Sequence, residues 1–218
     1  MRIHLKIKSK NLIIPFNHQP LLVGTIHKWL GWNELHGTVA LFSFSRLEGA
    51  KPGKEGLKFE NNTSFYISAY DVNVIKALIK GIQSNPTMFY DLEVKELIIE
   101  QDPDLTHREY FQIGSPIFIK RNEEDHIVHY LYDDPKANEL LKETLLTKMK
   151  KVGLEDDTLE ISFDLKYYNA GTKLIDYSGI KNRANWCPII IKGKPETKLF
   201  AWNVGLGNST GIGFGAIK

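Results

Sequence analysis

The sequence predicts an α+β chain of two tandem ferredoxin-like (βαββαβ) domains, and three observations carry that prediction. Alternating apolar strands at residues 2–8, 41–45, 64–70 and 89–100 bracket two segments of helical spacing, 19–30 and 72–83, in the order β-α-β-β-α-β. The same order recurs, less cleanly, from residue 110 onward. At 218 residues the chain is long enough to build two small cores or one large one. The expected division is 1–104 and 105–218, joined near 101–107, with a single α+β domain as the alternative.

Each element rests on its own pattern. Arg2-Ile3-His4-Leu5-Lys6-Ile7-Lys8 alternates as a strand with one apolar face. Leu22, Ile26, Trp29 and Leu30 then share a helical face, and Gly31 ends the helix. Leu41–Ser45 and Ser64–Tyr70 read as the next two strands. Asp71 is a good N-cap for Val72–Gln83, where Val74, Ile75, Leu78 and Ile79 face one way, and Phe89–Glu100 returns as a strand. In the second half, Tyr110–Lys120 and His126–Tyr132 read as a hairpin around Asn122-Glu123-Glu124-Asp125. Pro135 fits a helix N1 position, with the helix running to about Lys151. Leu159–Tyr167, Leu174–Ile180 and Ile189–Lys192 are strands, and Thr197–Val204 is a short helix.

Composition excludes several classes. No apolar run approaches the roughly 20 residues of a membrane span, and the N-terminus lacks the apolar stretch of a secretion signal. The single cysteine, Cys187, rules out an internal disulfide framework and a cysteine-rich zinc site, and fits a reducing cytoplasm. Net charge is only +2, but residues 1–50 carry +4 and 171–218 carry +5, leaving −7 between them. Basic ends around an acidic middle suit two positive surfaces meeting one polyanion, although surface charge also varies along chains with no such purpose.

The C-terminal run Gly205–Lys218 places five glycines within eleven positions, and no carboxylate occurs after Glu196. Such backbone can reach positive φ and turn its N–H groups toward an anion. A mononucleotide loop needs Lys-Ser/Thr after its last glycine, and a dinucleotide fingerprint must open a helix; neither condition is met here. Ile212, Phe214 and Ala216 alternate with glycine, which predicts a short terminal strand and not a flexible tail.

The ending Gly205-Leu206-Gly207, five residues, then Gly213-Phe214-Gly215 resembles the glycine-rich signature of the repeat-associated RAMP superfamily. With Ile14-Pro15-Phe16-Asn17-His18-Gln19, Leu22, Gly24 and Ile26-His27 at the other end, it resembles more closely the CRISPR-associated endoribonucleases that cut precursor CRISPR RNA. The resemblance implies a repeat-specific cut without metal or other cofactor. The 2′-hydroxyl attacks the adjacent phosphate and leaves 2′,3′-cyclic phosphate and 5′-hydroxyl ends. A non-catalytic RNA-binding subunit of the same superfamily is the alternative. It also implies CRISPR repeat RNA as partner, with other CRISPR effector subunits and a homodimer left open.

That chemistry needs a base at the 2′-oxygen and an acid at the 5′-oxygen, roles that suit histidine near neutral pH. By the resemblance His36 is the principal catalytic histidine, and His27 on the first helix the second. An exposed loop histidine and a partly packed helix histidine are the respective alternatives. His18 is read as capping or structural. No third catalytic lysine can be placed; Arg46, Lys51 and Lys54 are the available charges. RNA holding falls to Gly205, Gly207, Asn208, Ser209, Thr210, Gly211, Gly213 and Gly215, with Arg46, Lys173, Lys181 and Arg183 supplying charge. Trp186, Trp202, Tyr167 and Tyr168 could stack on bases, although core packing is the preferred reading.

Overall fold

The computed structural model describes residues 1–9, 12–31 and 40–218, with backbone alone for 60–62. Strand β1 (Arg2–Lys8) leads to β2 (Leu12–Ile14) and helix α1 (Gln19–Leu30). Then come β3 (Phe42–Phe44), β4 (Glu48–Pro52), the long β5 (Leu57–Ala69), α2 (Val72–Ser84) and β6 (Glu93–Glu100). All pairings are antiparallel. One edge of β5 pairs with β1 and, further down, β2; its other edge pairs with β3 and then β4; β6 lies outside β1. Taking β1–β2 and β3–β4 as interrupted strands, the spatial order is fourth, first, third, second, the ferredoxin-like arrangement. Ile3, Leu5 and Ile7 face inward from β1 and pack with Leu22, Ile26 and Trp29 of α1 and Ile75 and Leu78 of α2.

The second half holds β7 (Tyr110–Phe111), a hairpin β8–β9 (Lys120–Glu123, His126–His129), α3 (Ala137–Lys150) and β10 (Glu160–Phe163). A second hairpin, β11–β12 (Gly171–Tyr177, Ile180–Trp186), precedes β13 (Ile189–Lys192) and α4 (Pro195–Val204). Strand β13 pairs with β10 on one side and β7 on the other. The chain's last residues close the sheet beside the β7 segment: Gln112 and Lys218 exchange backbone hydrogen bonds of 2.8 and 2.7 Å. The same fourth–first–third–second order results, with the two hairpins as additions. The fold class read from the sequence therefore stands.

Several boundaries differ from the sequence reading for physical reasons. The expected strand 110–120 is broken into β7, single bridges at Ile113 and Ile117, and β8. Pro116 has no N–H for a ladder, and Gly114 lies against the Tyr66 hydroxyl of the other half, where a side chain would collide. The expected terminal strand is instead a 3₁₀ turn at Thr210–Ile212, and only the last residues are extended. Ile180 opens β12 because the turn Ser178-Gly179 has positive φ at both positions.

The two larger buried clusters lie one around β1, β5, α1 and α2 and one around α3, α4, β10 and β13. Arg2 bridges them. Its guanidinium is sandwiched between the rings of Tyr66 (3.9 Å) and Trp202 (3.4 Å) and donates to the Trp202 and Ile217 carbonyls. With carbonyl and ring partners in place of water, burial lowers its pKa to about 10.

Candidate nucleic-acid interface

A groove of about 240 Å³ opens where the two halves meet. One wall is the turn Phe16–Gln19 entering α1, together with Arg46 just past β3; the other is Lys173–Asp176 of β11. The turn is held by His18, whose Nδ1–H donates to the Pro15 carbonyl at 2.9 Å and whose ring stacks on Phe89. His18 therefore braces the turn and does not cap the helix through its side chain. Burial depresses its pKa, aided by the nearby Arg46 charge, so it is neutral at neutral pH. From the other side of the turn, the Gln19 amide donates to the Ile212 and Gly213 carbonyls at 2.7 and 3.1 Å, tying α1 to the glycine-rich segment.

Arg46 is the dominant charge of the groove. Its backbone N–H donates to Gly114 across the junction, but among the described residues no group accepts a hydrogen bond from its guanidinium. Partial burial lowers its pKa, since a desolvated guanidinium is held less firmly in its charged form. Lys173 stands opposite, about 5.8 Å from the Trp186 ring. The groove's one carboxylate, Asp176, accepts from the Gly179 N–H at 2.9 Å. Two cations against one occupied carboxylate make the groove anion-attracting.

Strand register separates the basic residues expected to act together. Lys173 pairs with Ala184, whereas Arg183 pairs with Leu174 and Lys181 with Asp176. Alternation places Arg183 and Lys181 on the face of the β11–β12 ribbon opposite Lys173. Only Lys173 of the three lines the groove.

The glycine-rich segment is packed inside the protein. Gly205, Gly207, Gly213 and Gly215 are buried and have positive φ. A Cβ on Gly213 would strike the Gln19 amide and lie 2.8 Å from Phe44; one on Gly215 would strike the Leu206 carbonyl. The N–H groups of Gly205, Leu206, Asn208, Ile212, Gly213 and Gly215 all donate to backbone carbonyls of the protein. These amides are not available to an RNA phosphate, which corrects the expectation of a backbone cradle at those positions. Thr210 is buried as well, and its hydroxyl accepts from Lys148 at 3.3 Å. Asn208, Ser209 and Gly211 are half-exposed and carry what surface the segment has.

Of the catalytic candidates, His36 lies outside the described residues. His27 is half-buried on α1, eight residues or about 12 Å along the helix from Gln19. Lys51 and Lys54 are exposed, on β4 and the turn beyond it. Trp202 is core, as preferred, whereas Tyr168 is 89% exposed. Sequence reasoning missed Arg2, Gln19 and Lys148, because a polar residue on an amphipathic element reads as surface until its neighbours are known. Among the described residues no three His, Cys, Asp or Glu side chains gather as metal ligands, and no helix is long and apolar enough to cross a membrane.

Two ferredoxin-like units are closed by a buried C-terminal glycine segment. The chain belongs to the family of CRISPR associated protein Cas6, whose C-terminal family model matches residues 100–218. It is 25% identical over 241 residues to an endoribonuclease-like protein Cas6 of Pyrococcus furiosus, covering 100% of this chain and 98% of the relative. Among solved structures it is similar to a RAMP protein described as binding different RNA substrates, with TM-score 0.85, 22% identity, and coverage of 100% of this chain and 98% of that one. A CRISPR associated protein Cas6 superposes with TM-score 0.84 at 22% identity, over 100% of this chain and 98% of that one.

Proposed function

We propose that this protein is a repeat-specific endoribonuclease that cuts precursor CRISPR RNA without metal. A base removes the 2′-hydroxyl proton, the 2′-oxygen attacks phosphorus, the P–O5′ bond breaks, and an acid protonates the departing 5′-oxygen. The products are a 2′,3′-cyclic phosphate and a 5′-hydroxyl. His36 and His27 take the two proton transfers, each contributing about 10²–10⁴-fold. Arg46 and Lys173 hold RNA phosphates in the groove, and Lys181, Arg183, Asn208 and Ser209 extend the contact surface. The division of labour follows the boundary near residue 104, with chemistry in 1–104 and most RNA holding in 105–218.

The observation that carries this reading is the Arg46 guanidinium, partly buried at the junction of the two halves with no acceptor among the described residues, in a chain of the Cas6 family. A desolvated, unpaired cation is unfavourable unless an anion completes it. End-labelled repeat RNA incubated with protein in EDTA is expected to yield cyclic-phosphate and 5′-hydroxyl ends. A 2′-deoxy nucleotide at the cut blocks the product, and His36→Ala slows it at least about 100-fold. Cutting unchanged in His36→Ala removes His36 from the chemistry. The second reading, an RNA-binding protein that does not cut, is supported by the structural relative described as binding RNA substrates. Tight repeat binding with no cyclic-phosphate product would establish it. Assembly with other CRISPR effector subunits, or as a homodimer, belongs to the same proposal.

A further inference from the structure

A second unpaired basic cluster lies away from the groove, on the outer side of the glycine segment. Lys120 of β8 and His129 of β9 are directly opposite in register, so their side chains share one face of the hairpin. Arg183 comes from β12, and its backbone N–H lies 3.5 Å from His129 Nδ1. Among the described residues no carboxylate or carbonyl accepts from the Lys120 ammonium or the Arg183 guanidinium, and the one ring contact is Lys120 over Phe118 at 5.8 Å.

The cluster is rigidly carried. Asn185, fully buried, donates to the Tyr130 carbonyl and accepts from the Tyr132 N–H, fastening β12 to the end of the β8–β9 hairpin. The His129 ring meets Phe118 edge-on at 5.0 Å, and Phe118 packs on Phe214 of the glycine segment at 5.1 Å. Asn208 Oδ1 accepts from the Lys120 N–H at 2.9 Å, so its Nδ2 is turned away from that bond with two donors to offer. With Nδ1 accepting from Arg183, neutral His129 carries its proton on Nε2, a further donor.

We propose that Lys120, His129, Arg183 and the Asn208 amide form a phosphodiester-binding site for the RNA backbone, with His129 taking up a proton when the phosphate binds. The inference rests on the RNA-binding reading above and adds a site to it. In the free protein the His129 pKa is lowered by burial first, then by Lys120 and Arg183. A bound phosphodiester sets one negative charge against these two cations, offsets part of their effect and raises the pKa. Binding therefore takes up a proton in the window between the two values, and affinity rises as pH falls through it. Phosphate contacts carry no sequence information, so the effect applies equally to repeat and scrambled RNA.

The test is fluorescence anisotropy at 50 mM salt with 2′-O-methylated repeat RNA, which 2′-hydroxyl attack cannot cut, from pH 8 to pH 5.5. Wild-type Kd is expected to fall about threefold to tenfold as pH falls, since one proton yields at most about tenfold per pH unit. His129→Gln keeps a donor but no titration, and its profile is expected to be flat across this range. Lys120→Gln weakens binding at every pH yet moves the midpoint to higher pH, because it removes a charge holding His129 neutral. That pair of opposite shifts is not produced by misfolding. Binding whose pH profile is unchanged in His129→Gln, or whose midpoint stays fixed in Lys120→Gln, overturns the site alone. Wild-type protein that binds no RNA at this salt overturns the RNA reading and the site with it.

Discussion

Lys148 supplies the sharpest test of how the glycine segment is held. It lies on α3 with 4% of its surface exposed, and its ammonium donates to the Val204 and Gly205 carbonyls (3.5 and 3.2 Å) and the Thr210 hydroxyl. Those carbonyls are the C-terminal end of α4, which favours a cation there. Burial nevertheless lowers the Lys148 pKa from its usual 10.5 to about 7. The unfolded chain thus keeps a proton that the folded chain has lost between about pH 7 and pH 10.5, so stability rises with pH across that window and is level below it. With those two values, this group contributes a gain of about 2 kcal/mol between pH 7 and pH 9. Lys148→Met keeps most of the volume and removes the titration.

The assay is urea unfolding followed by tryptophan fluorescence at pH 7, 8 and 9 for both proteins. The difference in unfolding free energy, wild type minus Lys148→Met, should become more favourable to wild type by about 2 kcal/mol over the two pH units. Taking the difference cancels other groups titrating in the same range, such as Cys187, whose thiol burial pushes up to about 11. A difference independent of pH would refute the argument that Lys148 is buried as a marginally charged amine.

Gly213→Ala should destabilise the protein by about 2–4 kcal/mol in thermal or urea unfolding, because its φ of 91° and the Gln19 and Phe44 contacts both oppose a Cβ. Gly24→Ala, in α1 with nothing within 4 Å of the added carbon, should instead stabilise it by about 0.5–1 kcal/mol. Arg2→Met removes the ring sandwich, takes the Arg2 donor from the Trp202 carbonyl and leaves the Ile217 carbonyl with the Tyr66 hydroxyl alone, at a cost of about 3 kcal/mol read as a lowered urea midpoint. Arg46→Gln should leave unfolding nearly unchanged, weaken RNA binding for every sequence, and lower the slope of log K against log salt by about 0.7.

What could be read in the sequence was set by local periodicity. The bounds of α1 follow from Leu22, Ile26, Trp29, Leu30 and the terminating Gly31, whose contacts are made within the same half. The break at Gly114 could not be read, since its cause, the Tyr66 hydroxyl, is 48 residues away in the chain. Arg46 was legible as a charge but not as one without an acceptor among the described residues, because pairing is a tertiary property. His129 was legible as part of the strand 126–132, but nothing in a period of two announces Arg183 beside it. The positive-φ demand of the C-terminal glycines was visible, whereas the group filling each space was not.

That last distinction changes how the glycine segment can act on RNA. A backbone cradle needs N–H groups turned outward, yet here six amides between Gly205 and Gly215 donate to the protein's own carbonyls. Freeing one for a phosphate would leave a buried carbonyl such as that of Phe118 or Pro116 unsatisfied, costing about 1–3 kcal/mol, which offsets much of what one contact supplies. The segment therefore contributes through what it positions. Phe214 supports Phe118, which supports His129, and Asn208 is fixed by the Lys120 amide. On this argument a substitution at one of the buried glycines of the segment weakens RNA binding only as far as it loosens the fold, so its unfolding and binding penalties should scale together. Substitutions at Lys120, His129 or Arg183 should weaken binding while leaving unfolding unchanged.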